Sequence, residues 1–170
     1  AIDAYEKAYE VDVKKTKVKD INTGLQTIAQ KYLDEGMTCY AFGDMAGASS
    51  LFEKAAEASA TAPLSVVDTT AIYNAGFTAW AVKDYERAKK FFEQCLANDY
   101  YYEGGEVYAK LADVYKNLGD SAKAVQTLDK YIDSTVEVER ADGTTEILGL
   151  TAEQKADFIE GYYNEGKEYG

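Results

Sequence analysis

Gly36, Ala48, Phe52 and Ala55 follow one another at offsets of 12, 4 and 3 residues. The same offsets return at Gly76, Ala88, Phe92 and Cys95, and again at Ala112, Ala124, Leu128 and Tyr131. Offsets of 3 and 4 put side chains on one face of a helix. A small-small-large-small pattern recurring every ~34 to 40 residues predicts stacked helical hairpins, because one hairpin alone has too few partners to bury its apolar face. Gly43-Asp44, Lys83-Asp84 and Gly119-Asp120 mark the turns. Each aspartate stands four residues before the small alanine, where it can cap the second helix by accepting from its free amides.

This register organises the chain as an all-α array read as a single domain, residues 1–170. Ala1, Tyr5 and Ala8 keep the offsets of 4 and 3, so residues 1–12 read as the second helix of a preceding repeat and the chain as a piece of a longer protein. A basic, threonine-containing stretch from Val13 to Lys19 leads into hairpins at 20–60, 69–97 and 106–134, the first helix running from Asp20 to Ala41. The connection Ala60 to Asp68 holds the sole proline, Pro63, and is longer than a tight repeat needs, which marks a flexible or functional loop. The run Tyr100-Tyr101-Tyr102 reads as packing between hairpins, with aromatic recognition the alternative.

From Val136 the period falls to two. Val136 to Arg140 and Thr144 to Leu148 alternate on either side of Ala141-Asp142-Gly143, a small β-hairpin signal at 136–148 within an inserted ribbon or loop, 135–150. Thr151-Ala152-Glu153-Gln154 then reads as a capping box opening a C-terminal helix, 151–170. In it Tyr163-Asn164-Glu165-Gly166 echoes Tyr73-Asn74-Ala75-Gly76, so a partial repeat is expected at each end of the chain.

Thirty acidic residues against 18 basic ones give a net charge of −12, which repels nucleic-acid phosphates and anionic membranes. The chain has no histidine, so imidazole metal sites and serine–histidine triads are excluded. Cys39 and Cys95 lie in helical patterns without CxxC spacing and read as free buried thiols, with a disulfide or a reactive site the alternative. No cofactor is indicated, and no calcium loop follows Thr151. Glu53, Glu57, Glu86 and Glu93 read as a solvated outer face.

The offsets and turns, seen most clearly in Lys83-Asp84-Tyr85-Glu86-Arg87-Ala88 and Gly119-Asp120-Ser121-Ala122-Lys123-Ala124, resemble the tetratricopeptide repeat over most of residues 1–134 and weakly over 159–170. The usual closing proline is missing and two connections are lengthened. In this the chain is similar to degenerate arrays of bacterial proteins, often exported ones, so a bacterial, periplasmic or otherwise exported location is expected over a cytoplasmic one.

The resemblance implies a right-handed superhelix whose first helices line a concave groove for a peptide or a partner's helix. Some chaperone-binding members clamp a C-terminal carboxylate with Lys and Asn side chains. The corresponding positions here are Leu33, Met37, Asn74, Glu106 and Lys110; only Asn74 and Lys110 fit, and Glu106 has the wrong sign. That clamp is absent.

In its place Leu33, Met37 and Tyr40 form one apolar stripe, and Tyr73, Phe77 and Trp80 the next. The stripe either packs against neighbouring repeats or, if Gly36, Cys39, Gly76 and Ala79 form the buried seam, faces the groove. The groove set is then Leu33, Met37, Tyr40, Tyr73, Asn74, Phe77, Trp80, Asp113 and Lys116. The expected function is non-catalytic binding of an unidentified neutral or basic protein or peptide, as a monomer and without nucleic acid or membrane insertion. Glycan binding on Tyr73, Trp80 and Tyr100 to Tyr102 is the alternative, and a glycosidase-like enzyme using carboxylates alone stands behind both.

Overall fold

A computed structural model of the chain describes residues 1–102, 105–135, 137–139 and 145–147. Among them are helices α1 (Ile2–Val11), α2 (Val18–Ala41), α3 (Met45–Ala60), α4 (Thr69–Ala81), α5 (Tyr85–Ala97), α6 (Glu106–Asn117) and α7 (Ser121–Thr135). Short strands β1 (Glu137–Glu139) and β2 (Thr145–Ile147) pair antiparallel, with Val138 opposite Glu146. The expected turn Ala141-Asp142-Gly143 and the expected helix at 151–170, with its capping box, lie outside the described residues. The fold is an all-α helical repeat in two compact units, Ala1–Asn98 and Asp99–Gly170.

The hairpin turns are built alike. Asp44 accepts from the Gly47 amide at 2.9 Å, Asp84 from Arg87 at 3.3 Å and Asp120 from Lys123 at 3.1 Å, so each second helix starts on a capped amide. Helix α4 has its own cap, Asp68 accepting from Ala71 at 3.0 Å, which the repeat offsets do not reveal. The residue before each turn aspartate is left-handed: φ is +82° at Gly43, +62° at Lys83 and +82° at Gly119. A side chain strains that conformation by about 1–2 kcal/mol, partly offset by the lower entropy of its unfolded chain. Lys83→Gly is therefore expected to stabilise the protein by roughly 0.5–1 kcal/mol. Urea unfolding is the check; a loss of stability would mean that Lys83 contributes more through its contacts than it loses in backbone strain.

Helix α2 begins at Val18 rather than at the expected Asp20. Asp12 is the physical reason: it accepts from the Thr16 amide at 3.1 Å and the Lys17 amide at 2.8 Å, folding the basic stretch into a compact bend. These bonds hold the Asp12 carboxyl below the usual carboxylate range, the bond from Lys17 contributing most. The bend lays the start of α2 against α1, where Ile21 and Leu25 are buried, and a Cβ on Gly24 would collide with the Tyr5 ring.

Within each hairpin, small residues admit large ones. A Cβ on Gly36 would lie 2.8 Å from the Phe52 ring, and one on Gly76 would lie 3.0 Å from the ring of Phe92. Ala48, Phe52, Ala55, Ala88, Phe92 and Cys95 are buried beside them in the first unit. In the second unit Ala112, Ala124 and Leu128, at the same offsets, are buried with Val107 and Leu111. Buried Ser49 donates to the Ala75 carbonyl at 2.9 Å, tying α3 to α4 without leaving a polar group unpaired. Burial pushes the Cys95 thiol up to about 12; both cysteines are free, but Cys39, expected to be buried, is only half-buried.

Candidate protein-binding surfaces

The glycines press on the second helix of their own hairpin, so the opposite edges of α2 and α4 carry the aromatic stripe. Tyr40 on α2 approaches Phe77 on α4 with ring centroids 6.5 Å apart, and Phe77 lies 6.0 Å from Trp80. The rings therefore join two helices into one face. Met37 and Tyr40 present 53% and 39% of their surface to solvent, while Leu33, Asn74, Phe77 and Trp80 are half-buried. Tyr73 differs. It is only 6% exposed and packs 6.3 Å from Phe77 and 6.1 Å from Phe92, so it supports the face from beneath and cannot offer a ring for a sugar to stack on. Asp113 and Lys116 are half-buried on α6 of the second unit.

Phe42 and Val82 escaped the sequence reading. Both stand two residues before a capping aspartate and are exposed at the ends of α2 and α4. Their signal was a large apolar residue repeated at a turn position, where polar residues are usual. The carboxylate clamp meets a second obstacle: Lys110 lies 3.2 Å from Glu106, so its ammonium is engaged by the very acid that has the wrong sign.

The outer face needs correction. Glu53 is not a solvated charge: its side chain is 19% exposed and accepts from Arg87 at 2.8 Å and Lys90 at 2.7 Å, linking α3 to α5. Burial pushes the Glu53 carboxyl up, but the hydrogen bonds from Lys90 and Arg87 outweigh it and leave the group below its usual range. A depressed carboxylate contributes its stability above the ordinary value of 4.5 and loses it as pH falls through the folded-state value, so this link weakens only in acid. Both cations also lie over Phe91, at 5.4 Å for Arg87 and 5.0 Å for Lys90.

Beside this trio a cleft of about 300 Å³ opens between α3, α5 and the loop before α4, lined by Ala56, Glu57, Val67, Asp68, Ile72 and Phe91 among others. Glu86, by contrast, pairs with Lys89 at 3.1 Å on an exposed surface. Among the described residues no three His, Cys, Asp or Glu side chains gather as a metal would need, and no helix is long and apolar enough to cross a membrane.

Comparison with known proteins bears on the repeats directly. Residues 69–100 and 105–135 each match the family model of the tetratricopeptide repeat, and these matches cover α4–α5 and α6–α7. No curated protein and no solved structure matches the chain. Two consecutive matches, on hairpins that share caps, turns and small-residue contacts, identify residues 69–100 and 105–135 as tetratricopeptide repeats.

Proposed function

We propose that this chain is a non-catalytic interaction module that holds a segment of another protein against the joined face of α2 and α4. Tetratricopeptide repeats generally mediate protein–protein interaction. The observation that carries the reading is the exposure of Met37 and Tyr40 beside Phe77 and Trp80: large, rigid apolar side chains held by two packed helices are the usual anchors of an interface. A net charge of −12 favours neutral or basic segments and speeds their approach.

Panning a phage-displayed library of linear peptides against the protein tests this. Enriched peptides should carry apolar anchors and should change the emission of Trp80, the only tryptophan. Tyr40→Ala and Met37→Ala should each weaken them about tenfold, which corresponds to ~1.4 kcal/mol, at unchanged helicity. Peptides that bind equally well to both variants would place the interface elsewhere and overturn the proposal.

A further inference from the structure

The cleft shares no lining residue with the stripe, and its lining is uneven in a way that suggests a guest. Its floor is apolar, with Ile72 and Phe91 almost fully buried and Ala56 half-buried beside them. Its charges are of two kinds. Lys90 and the adjoining Arg87 are both spent on Glu53, at 2.7 and 2.8 Å. Glu57, one helical turn further along α3, is exposed and makes no ion pair or hydrogen bond through its carboxylate among the described residues. Asp68 spends one oxygen on the Ala71 amide as the cap of α4, and Asn98 donates one of its two amide hydrogens to the Gln94 carbonyl at 2.8 Å, so the second Asp68 oxygen and the Asn98 side-chain oxygen stand as acceptors at the rim. The Glu53–Arg87–Lys90 trio carries one net positive charge against two negative ones on Glu57 and Asp68, so these groups sum to one net negative charge, and the carboxylates of Glu57 and Asp68 keep acceptor positions open.

We propose that this cleft is a second binding site, one that takes the side chain of an arginine or lysine from a partner segment. An apolar floor with acceptors at the rim matches an amphipathic cation: the methylene stem lies on Ile72, Phe91 and Ala56, and the charged head meets Glu57. Arginine is favoured, because its planar fork bonds a carboxylate bidentately and keeps donors for neighbouring oxygens. About 300 Å³ is at the lower end of ligand-pocket volumes and suits one side chain rather than a cofactor. The residues that line the cleft all belong to the first unit, 1–98.

The probe is an acetylated and amidated pentapeptide of four alanines around one arginine, with a twin carrying citrulline, which keeps the shape and removes the charge. In an NMR titration of the ¹⁵N-labelled chain the arginine peptide should give saturable shifts at the amides of Glu57, Val67, Asp68 and Gln94. The citrulline twin should bind at least ~10-fold more weakly. Glu57→Gln should remove the response by deleting the charge, and Ala56→Leu should remove it by filling the floor.

Trp80 emission should stay constant throughout, which separates this site from the face of α2 and α4. Failure here leaves that face untouched, and failure of that face leaves this result standing. Equal shifts with citrulline, shifts spread over other exposed acids such as Glu35 and Glu86, the lack of saturable shifts, or a response that survives both variants would each overturn the proposal. So would self-association abolished by Glu57→Gln, which would seat a second copy in the cleft.

Discussion

Replacing Phe92 with alanine is expected to lower stability by about 3–5 kcal/mol, the range for an aromatic removed from a packed core. The ring is fully buried, sits against Gly76 and lies 6.1 Å from Tyr73, so no water or neighbour can enter cheaply when it is gone. Domains of this size have only ~5–15 kcal/mol in total. The variant should therefore show a much lower urea midpoint by circular dichroism, with Trp80 emission red-shifted as the face above Tyr73 loses its support. A loss under ~1 kcal/mol would mean that the second hairpin repacks without its central ring, and the assignment of Gly76 and Phe92 as its locking pair would fail.

The second large effect concerns that pair. A methyl group on Gly76 would meet the Phe92 ring at 3.0 Å and the Cβ of Phe91 at 3.1 Å, so Gly76→Ala should destabilise by about 1–3 kcal/mol despite the better helix propensity of alanine. The third hairpin carries the alternative solution, Ala112 with Leu128 at the same offset, both buried. Combining Gly76→Ala with Phe92→Leu should accordingly cost less than the sum of the single changes, with a coupling of roughly 1 kcal/mol in the double-mutant cycle. Strict additivity would show that the two positions do not share the space the repeat offsets assign to them.

The register of the hairpins was legible because it rests on short-range rules. An aspartate four residues before a small residue, preceded by glycine or lysine in a left-handed turn, needs no tertiary information to recognise, and Asp44, Asp84 and Asp120 each accept from an amide in the first turn of the following helix. The start of α2 was less legible, since it depends on Asp12 gathering the amides of Thr16 and Lys17 across a bend.

Helical period also placed Tyr40, Phe77 and Trp80 on adjoining faces, but it could not separate them from Tyr73, whose ring is covered by a neighbour 19 residues away on α5. The outer cleft stayed hidden for a similar reason. Glu53 and its cations are 34 and 37 residues apart, and on its own helix Glu53 looks like any solvated acid. Opposite charges one repeat apart on second helices were the available signal, together with the apolar pair Val66-Val67 in a loop otherwise rich in turn residues.

Cys95 adds an unplanned gauge to the second hairpin. A thiol that is fully buried and pushed up to about 12 has almost no thiolate at neutral pH, so a thiol reagent cannot reach it while α4 and α5 remain docked. Its rate of modification then counts openings of that hairpin rather than collisions at a surface. Those openings need not be global, because repeat arrays can fray one unit at a time. A single native sulfur thus converts the local breathing of one repeat into a chemical rate, at a position that no engineered label would need to disturb.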